Sequence, residues 1–152
     1  MIMFDFIFNR KREISHNSKK VRRWQTEHKA MAKHAVKTVQ YYENNELKKA
    51  KKQLGKLQSV ALNHLMDEDV TFTELFKKAE KSNADQTILE AIREFRKSFI
   101  DTKKVLIHFF IHYTDPRVEL DTAFIEKLKG IIDALVQRIE FEEKNLYIMI
   151  NK

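Results

Sequence analysis

The stretch Leu54–Phe76, LGKLQSVALNHLMDEDVTFTELF, decides how the chain folds. Within it Leu54, Leu57, Ala61, His64, Glu68 and Leu75 recur at spacings of three, four or seven residues, which places them on one face of an α-helix. That face is apolar except at its middle, where His64 and Glu68 stand one turn apart. A charged carboxylate on a core stripe is costly unless it is ion-paired, protonated or bound to a metal. An ionisable pair thus occupies positions where an ordinary bundle carries Leu, and the functional question is what that pair does.

Working outward, the same periodicity predicts three more long helices. One runs over about 18–43, with Val21, Trp24, His28, Met31, Ala35, Val39 and Tyr42 on its inner stripe, so a second His joins the core positions. Asn44–Asn45 marks a tight connection to the helix that contains the opening stretch, expected over 46–80. Ser82 and Asp85 are the N-cap candidates for a third helix over 86–113, whose inner face reads Ile88, Ile92, Phe95, Phe99, Thr102, Leu106, Phe109 and Tyr113. Asp115–Pro116 is a helix-start signal, and a fourth helix is expected over 118–149 through Phe124, Leu128, Leu135, Ile139, Glu142, Leu146 and Met149. Four long helices with short connections predict an all-α, antiparallel up-down-up-down four-helix bundle over residues 18–152. Residues 1–17 are expected to form a short N-terminal arm whose Phe4, Phe6, Ile7 and Phe8 cover one end of it.

Composition agrees. The 152 residues include two Gly and one Pro, too few breakers for a loop-rich fold. There is no Cys, which excludes disulfides, Cys-ligated zinc and iron–sulfur clusters, and fits a reducing cytoplasm. The net charge of +7 comes with basic clusters at 10–23 and 48–56. No nucleic-acid motif or aromatic stacking platform accompanies them, so they read as solvated helix faces and no nucleic-acid partner is expected. No window reaches the ~18 apolar residues of a membrane span, and the first residues lack the layout of a secretory signal. A Gly-rich phosphate loop, a nucleophilic Ser motif and an HExxH motif are all absent, so the expectation is a protein that is not an enzyme.

Counting residues from the predicted turns brings His28, His64, Glu68 and Glu142 to similar depths in the bundle, with Ile92, Phe95 and Phe99 opposite on the third helix. His108-x-x-x-His112 also has ligand spacing, but it lies near a helix end and beside the core stripe. There two imidazoles suit the helix dipole. His34 falls off the His28 stripe and is expected to be exposed.

Glu27-His28 in the first helix, His64-x-x-x-Glu68-Asp69 in the second and Glu142-Glu143-x-x-Leu146-Tyr147 in the fourth resemble the hemerythrin, or HHE cation-binding, domain over about residues 20–150. The resemblance implies a four-helix bundle holding non-haem iron on His and carboxylate ligands, and a role in oxygen binding, in oxygen or nitric-oxide sensing, or in iron repair or signalling. Carried over by position, the metal ligands are His28, His64, Glu68 and Glu142. The chain departs from the pattern in two places: Arg138 stands where the fourth-helix His belongs, and Phe95 or Phe99 stands near the place of the third-helix His. Four ligands hold one ion more readily than two, and a guanidinium is no metal ligand, so a single iron or zinc ion is expected in place of a di-iron pair. Alternatively, Arg138 pairs with Glu142 or Glu68 in a metal-free polar core.

A second likeness points to a different class of function. Val21-x-Arg23-Trp24, Asp101-Thr102 with Val105, Phe109 and Tyr113, and Ile132–Glu143 are similar to the regulator-of-sigma-D (Rsd/AlgQ) anti-sigma family, also helical bundles. That resemblance implies a metal-free module with a protein partner in the transcription machinery. Its expected partner surface is basic, the same sign as the +7 of this chain.

Overall fold

A computed structural model of the chain describes residues 19–81 and 86–146. Four helices follow one another: α1 (Lys19–Glu43), α2 (Leu47–Lys81), α3 (Gln86–Thr114) and α4 (Thr122–Phe141), with a π-helical turn over Glu142–Leu146. Among the described residues there is no strand. The predicted arm and the N-cap candidates Ser82 and Asp85 lie outside the described residues.

Contacting pairs run in opposite directions along neighbouring helices. Trp24, His28 and His34 of α1 meet Phe72, His64 and Gln53 of α2. Phe95, Phe99 and Tyr113 of α3 meet Phe141, Arg138 and Phe124 of α4. The bundle is antiparallel, as the short connections predict.

The first connection is tight because Asn45 takes a left-handed conformation, φ 59°, which Asn tolerates better than most residues. Glu46 N then donates back to Tyr41 O at 2.8 Å. The last connection differs from the expectation. Pro116 does not open α4; Asp115 is taken up by Arg117, which donates to it from its backbone N at 2.9 Å and its Nη2 at 2.8 Å. The helix starts at Thr122, because the Asp121 carboxylate accepts from Phe124 N at 2.9 Å as N-cap. Tyr113 Oη donates to the same carboxylate at 3.0 Å and Tyr42 Oη donates to Asp121 O at 2.9 Å, so one cap ties α1 and α3 to the start of α4.

Two apolar layers result. The larger joins Met31, Leu57, Leu65, Leu106, Phe124 and Leu135 with their neighbours, and the smaller joins Val21, Trp24, Phe72 and Ile92. Leu75, predicted for the stripe of α2, is half-buried against the smaller layer, and the adjacent turn sends Phe72 inward instead. Between the layers lie His28, His64, Glu68, Arg138 and Glu142, all buried.

Candidate metal centre

The polar layer is assembled by three elements. α1 delivers Glu27 and His28, α2 delivers His64 and Glu68, and the end of α4 with its π turn delivers Arg138 and Glu142. The π turn matters for the last of these. Widening the helix by one residue brings the adjacent Glu142 and Glu143 both under the bundle, where a regular helix would turn one of them away.

His28 Nε2 and His64 Nε2 face each other at 2.9 Å with their ring planes at 70°. His64 Nδ1 donates to Glu27 Oε1 at 2.8 Å, so in the neutral ring Nε2 carries the lone pair and points it into the layer. Glu68 Oε2 lies 3.1 Å from His64 Nε2, and Glu142 Oε2 lies 3.5 Å from His28 Nε2. The other oxygen of each carboxylate turns to Arg138, whose Nη2 donates to Glu68 Oε1 at 3.2 Å and whose Nε lies 2.7 Å from Glu142 Oε1. The guanidinium is capped by α3, with Cζ 3.1 Å from the Phe99 ring centroid and 5.0 Å from that of Phe95. Trp24 meets His64 edge-on at 6.0 Å, and its Nε1 donates to Asp67 Oδ2 at 2.6 Å, where Arg23 also pairs.

The four residues predicted as ligands therefore come together. Each is at most 2% exposed, and their donor atoms all lie within 4.8 Å of one another. Arg138 pairs with both Glu68 and Glu142, where the sequence allowed either. The aromatic pair on α3 meets Arg138 as a lid. His108 and His112 are exposed and stand apart from the cluster. His34 corrects the expectation of exposure: it is half-buried, with Nδ1 3.0 Å from Gln53 Oε1. Glu27 enters the sequence reading only beside His28 in the family resemblance, with no part in the site; it lies beside the inner stripe of α1, and periodicity gives no sign that it reaches across to His64.

The donor set lies close to the spacing an ion needs. A tetrahedral ion with bonds of about 2.0–2.2 Å needs donors roughly 3.3–3.6 Å apart. The His28–Glu142 separation of 3.5 Å meets that, those of His28–His64 and His64–Glu68 at 2.9 and 3.1 Å are shorter, and all four donor atoms lie within 4.8 Å of one another. Charge points the same way. Glu68 and Glu142, both fully buried, bring two negative charges against the one positive charge of Arg138, and part-exposed Glu27 adds a third behind His64, an excess that a cation would reduce. Without a cation the buried carboxyls carry the cost. Burial, and then the charge of Glu142, push the Glu68 carboxyl well above the usual carboxylate range. Burial acts upward on Glu142 as well, but the Arg138 charge and the His28 hydrogen bond outweigh it and draw that carboxyl down to about 2. A proton on Glu68 is then shared with the Glu142 carboxylate, the acceptor beside it.

Comparison with known proteins agrees with this geometry. The model of the hemerythrin HHE cation-binding domain matches residues 19–150. No curated protein and no solved structure matches the chain. The matched span contains all four helices and every residue of the polar layer, and the chain belongs to the hemerythrin HHE cation-binding domain family.

Proposed function

We propose that the bundle binds a single divalent transition-metal ion, iron before zinc, on His28, His64, Glu68 and Glu142, and that it serves as a small-ligand sensor or regulatory module and not as an enzyme. The observation that carries this reading is the division of labour within each carboxylate. Oε1 is held by Arg138, while Oε2 faces the imidazoles. Arg138 occupies the outer side of the site, where it fixes the carboxylates in place and does not take the position of an ion. Imidazole nitrogen with carboxylate oxygen suits iron or zinc.

When bound, iron would supply an open position for a diatomic ligand such as oxygen or nitric oxide. The chain's own contribution is access and selectivity. A hollow of about 370 Å³ between α3 and α4 is bordered by Phe95, Phe99, Arg138 and Phe141. Arg138 Nη1 is buried and has no hydrogen-bond partner among the described residues, so it can donate to an oxygen atom arriving through that hollow.

Metal analysis of untagged protein, grown with added iron and zinc, tests the reading together with an absorption spectrum in air. One ion per chain is expected, with its loss in His64→Ala. Two ions per chain would refute the single-ion site. Trace metal only would leave the metal-free interaction module, with a protein partner, as the reading to pursue.

A further inference from the structure

A second site lies outside the metal layer, on the other half of the α3–α4 seam. There the two helices part to leave a groove of about 770 Å³, a volume typical of small-molecule sites. Its walls are apolar, from Val105 and Phe109 on α3 and Ile131 and Ala134 on α4. Val105 is 61% exposed, an apolar side chain left facing water. Gly130, one of only two glycines in the chain, sits mid-helix on the groove wall, and a Cβ added there would meet no heavy atom within 4 Å. A glycine costs a helix interior about 1 kcal/mol relative to Ala, and what it provides here is room.

The groove is also polar in the electrostatic sense. Its lining carries a single acid, Asp101, at one end. Further along α3, about 10 and 17 Å away at ~1.5 Å per residue, His108 and His112 share the rim with Lys127. Lys127 Nζ sits 5.8 Å from the Tyr113 ring centroid, and the His112 ring packs edge-on against the same Tyr at 4.6 Å. Lys104, one turn from Asp101, adds a cation at the acid's own end, so the rim as a whole is basic. His108 and His112 are two of the histidines that the metal centre leaves unused.

We infer that the groove between α3 and α4 binds a single-chain anionic amphiphile, a long-chain carboxylate, with its tail on Val105, Phe109 and Ile131 and its head between Lys127 and His112. The inference does not depend on the metal reading, since no residue of the metal layer lines the groove. Calorimetric titration of the full chain with sodium dodecanoate, dodecanol and dodecyltrimethylammonium tests it. Dodecanoate should bind saturably at one site per chain, and the cationic probe at least tenfold more weakly. Gly130→Leu should weaken dodecanoate at least tenfold while the protein melts at the same or a higher temperature. Replacing Lys127 and His112 together by Ala should weaken dodecanoate about fivefold, the scale of exposed charge contacts, and leave dodecanol unchanged. The inference is overturned if nothing binds saturably, if the cationic probe binds as well as the anion, or if Gly130→Leu binds undiminished. It is equally overturned if sedimentation finds a dimer that Gly130→Leu dissociates, because the groove would then belong to a second copy of the chain.

Discussion

Replacing Arg138 by Met would leave the Glu68 and Glu142 carboxylates buried against each other without a counter-charge. Breaking a buried pair from one side costs about 3–5 kcal/mol, and urea unfolding of the metal-free protein should show a loss of that order. Added metal should restore part of it, because a dication supplies the missing charge; a variant as stable as the parent without metal would contradict the role given to Arg138. Glu27→Gln makes a subtler change. Gln keeps an acceptor for His64 Nδ1 and removes the charge behind it, and loss of such an outer partner typically lowers metal affinity about 10–100-fold. Competition against a chromophoric chelator should find that loss with little change in the metal-free melt. At this scale the site was half legible. His28, His64, Glu68 and Glu142 announce themselves as polar residues on apolar stripes, whereas Glu27 is off the stripe. Which carboxylate oxygen faces which partner depends on Arg138 arriving from another helix, a fact no local pattern contains.

Among the helices, the start of α4 offers the sharpest test. Asp121 caps the helix and also accepts from Tyr113, so Asp121→Ala should cost about 1–2 kcal/mol. For a chain of this size that is a drop of about 2–4 °C in Tm per kcal/mol, readable by circular dichroism. Asp115→Ala should cost much less, since its carboxylate pairs with exposed Arg117 and caps no helix. In α2, Gly55 is a mid-helix glycine whose added Cβ would meet nothing within 4 Å, so Gly55→Ala should stabilise by roughly 0.5–1 kcal/mol. The four helices themselves were legible because their apolar stripes persist over many turns. The start of α4 was not, because two Asp residues compete for the role of cap, and Arg117 decides between them. Nor was the π turn at Glu142: widening a helix by one residue leaves the local sequence looking like ordinary helix.

For the molecule as a whole, apolar layers pack on either side of the polar one, and they are expected to hold the fold without help from a metal. Chelator-treated protein should keep its helical circular dichroism and lose only stability. At free metal a hundred times the dissociation constant the difference is about 2.7 kcal/mol, and collapse of the helical signal on chelation would show that the bundle depends on its ion. The same layering has a kinetic side. With every donor residue at most 2% exposed and Arg138 with its two Phe rings closing the hollow between α3 and α4, a hydrated ion has no route as wide as itself while the layers stay closed. Release then waits on a breathing motion, and the sparser packing of α4 against α1 and α3 makes that helix the one to move. The rate of metal removal should therefore climb with chelator concentration only until it meets the opening rate, and stay level beyond it. The protein, and not the chelator, would set the clock.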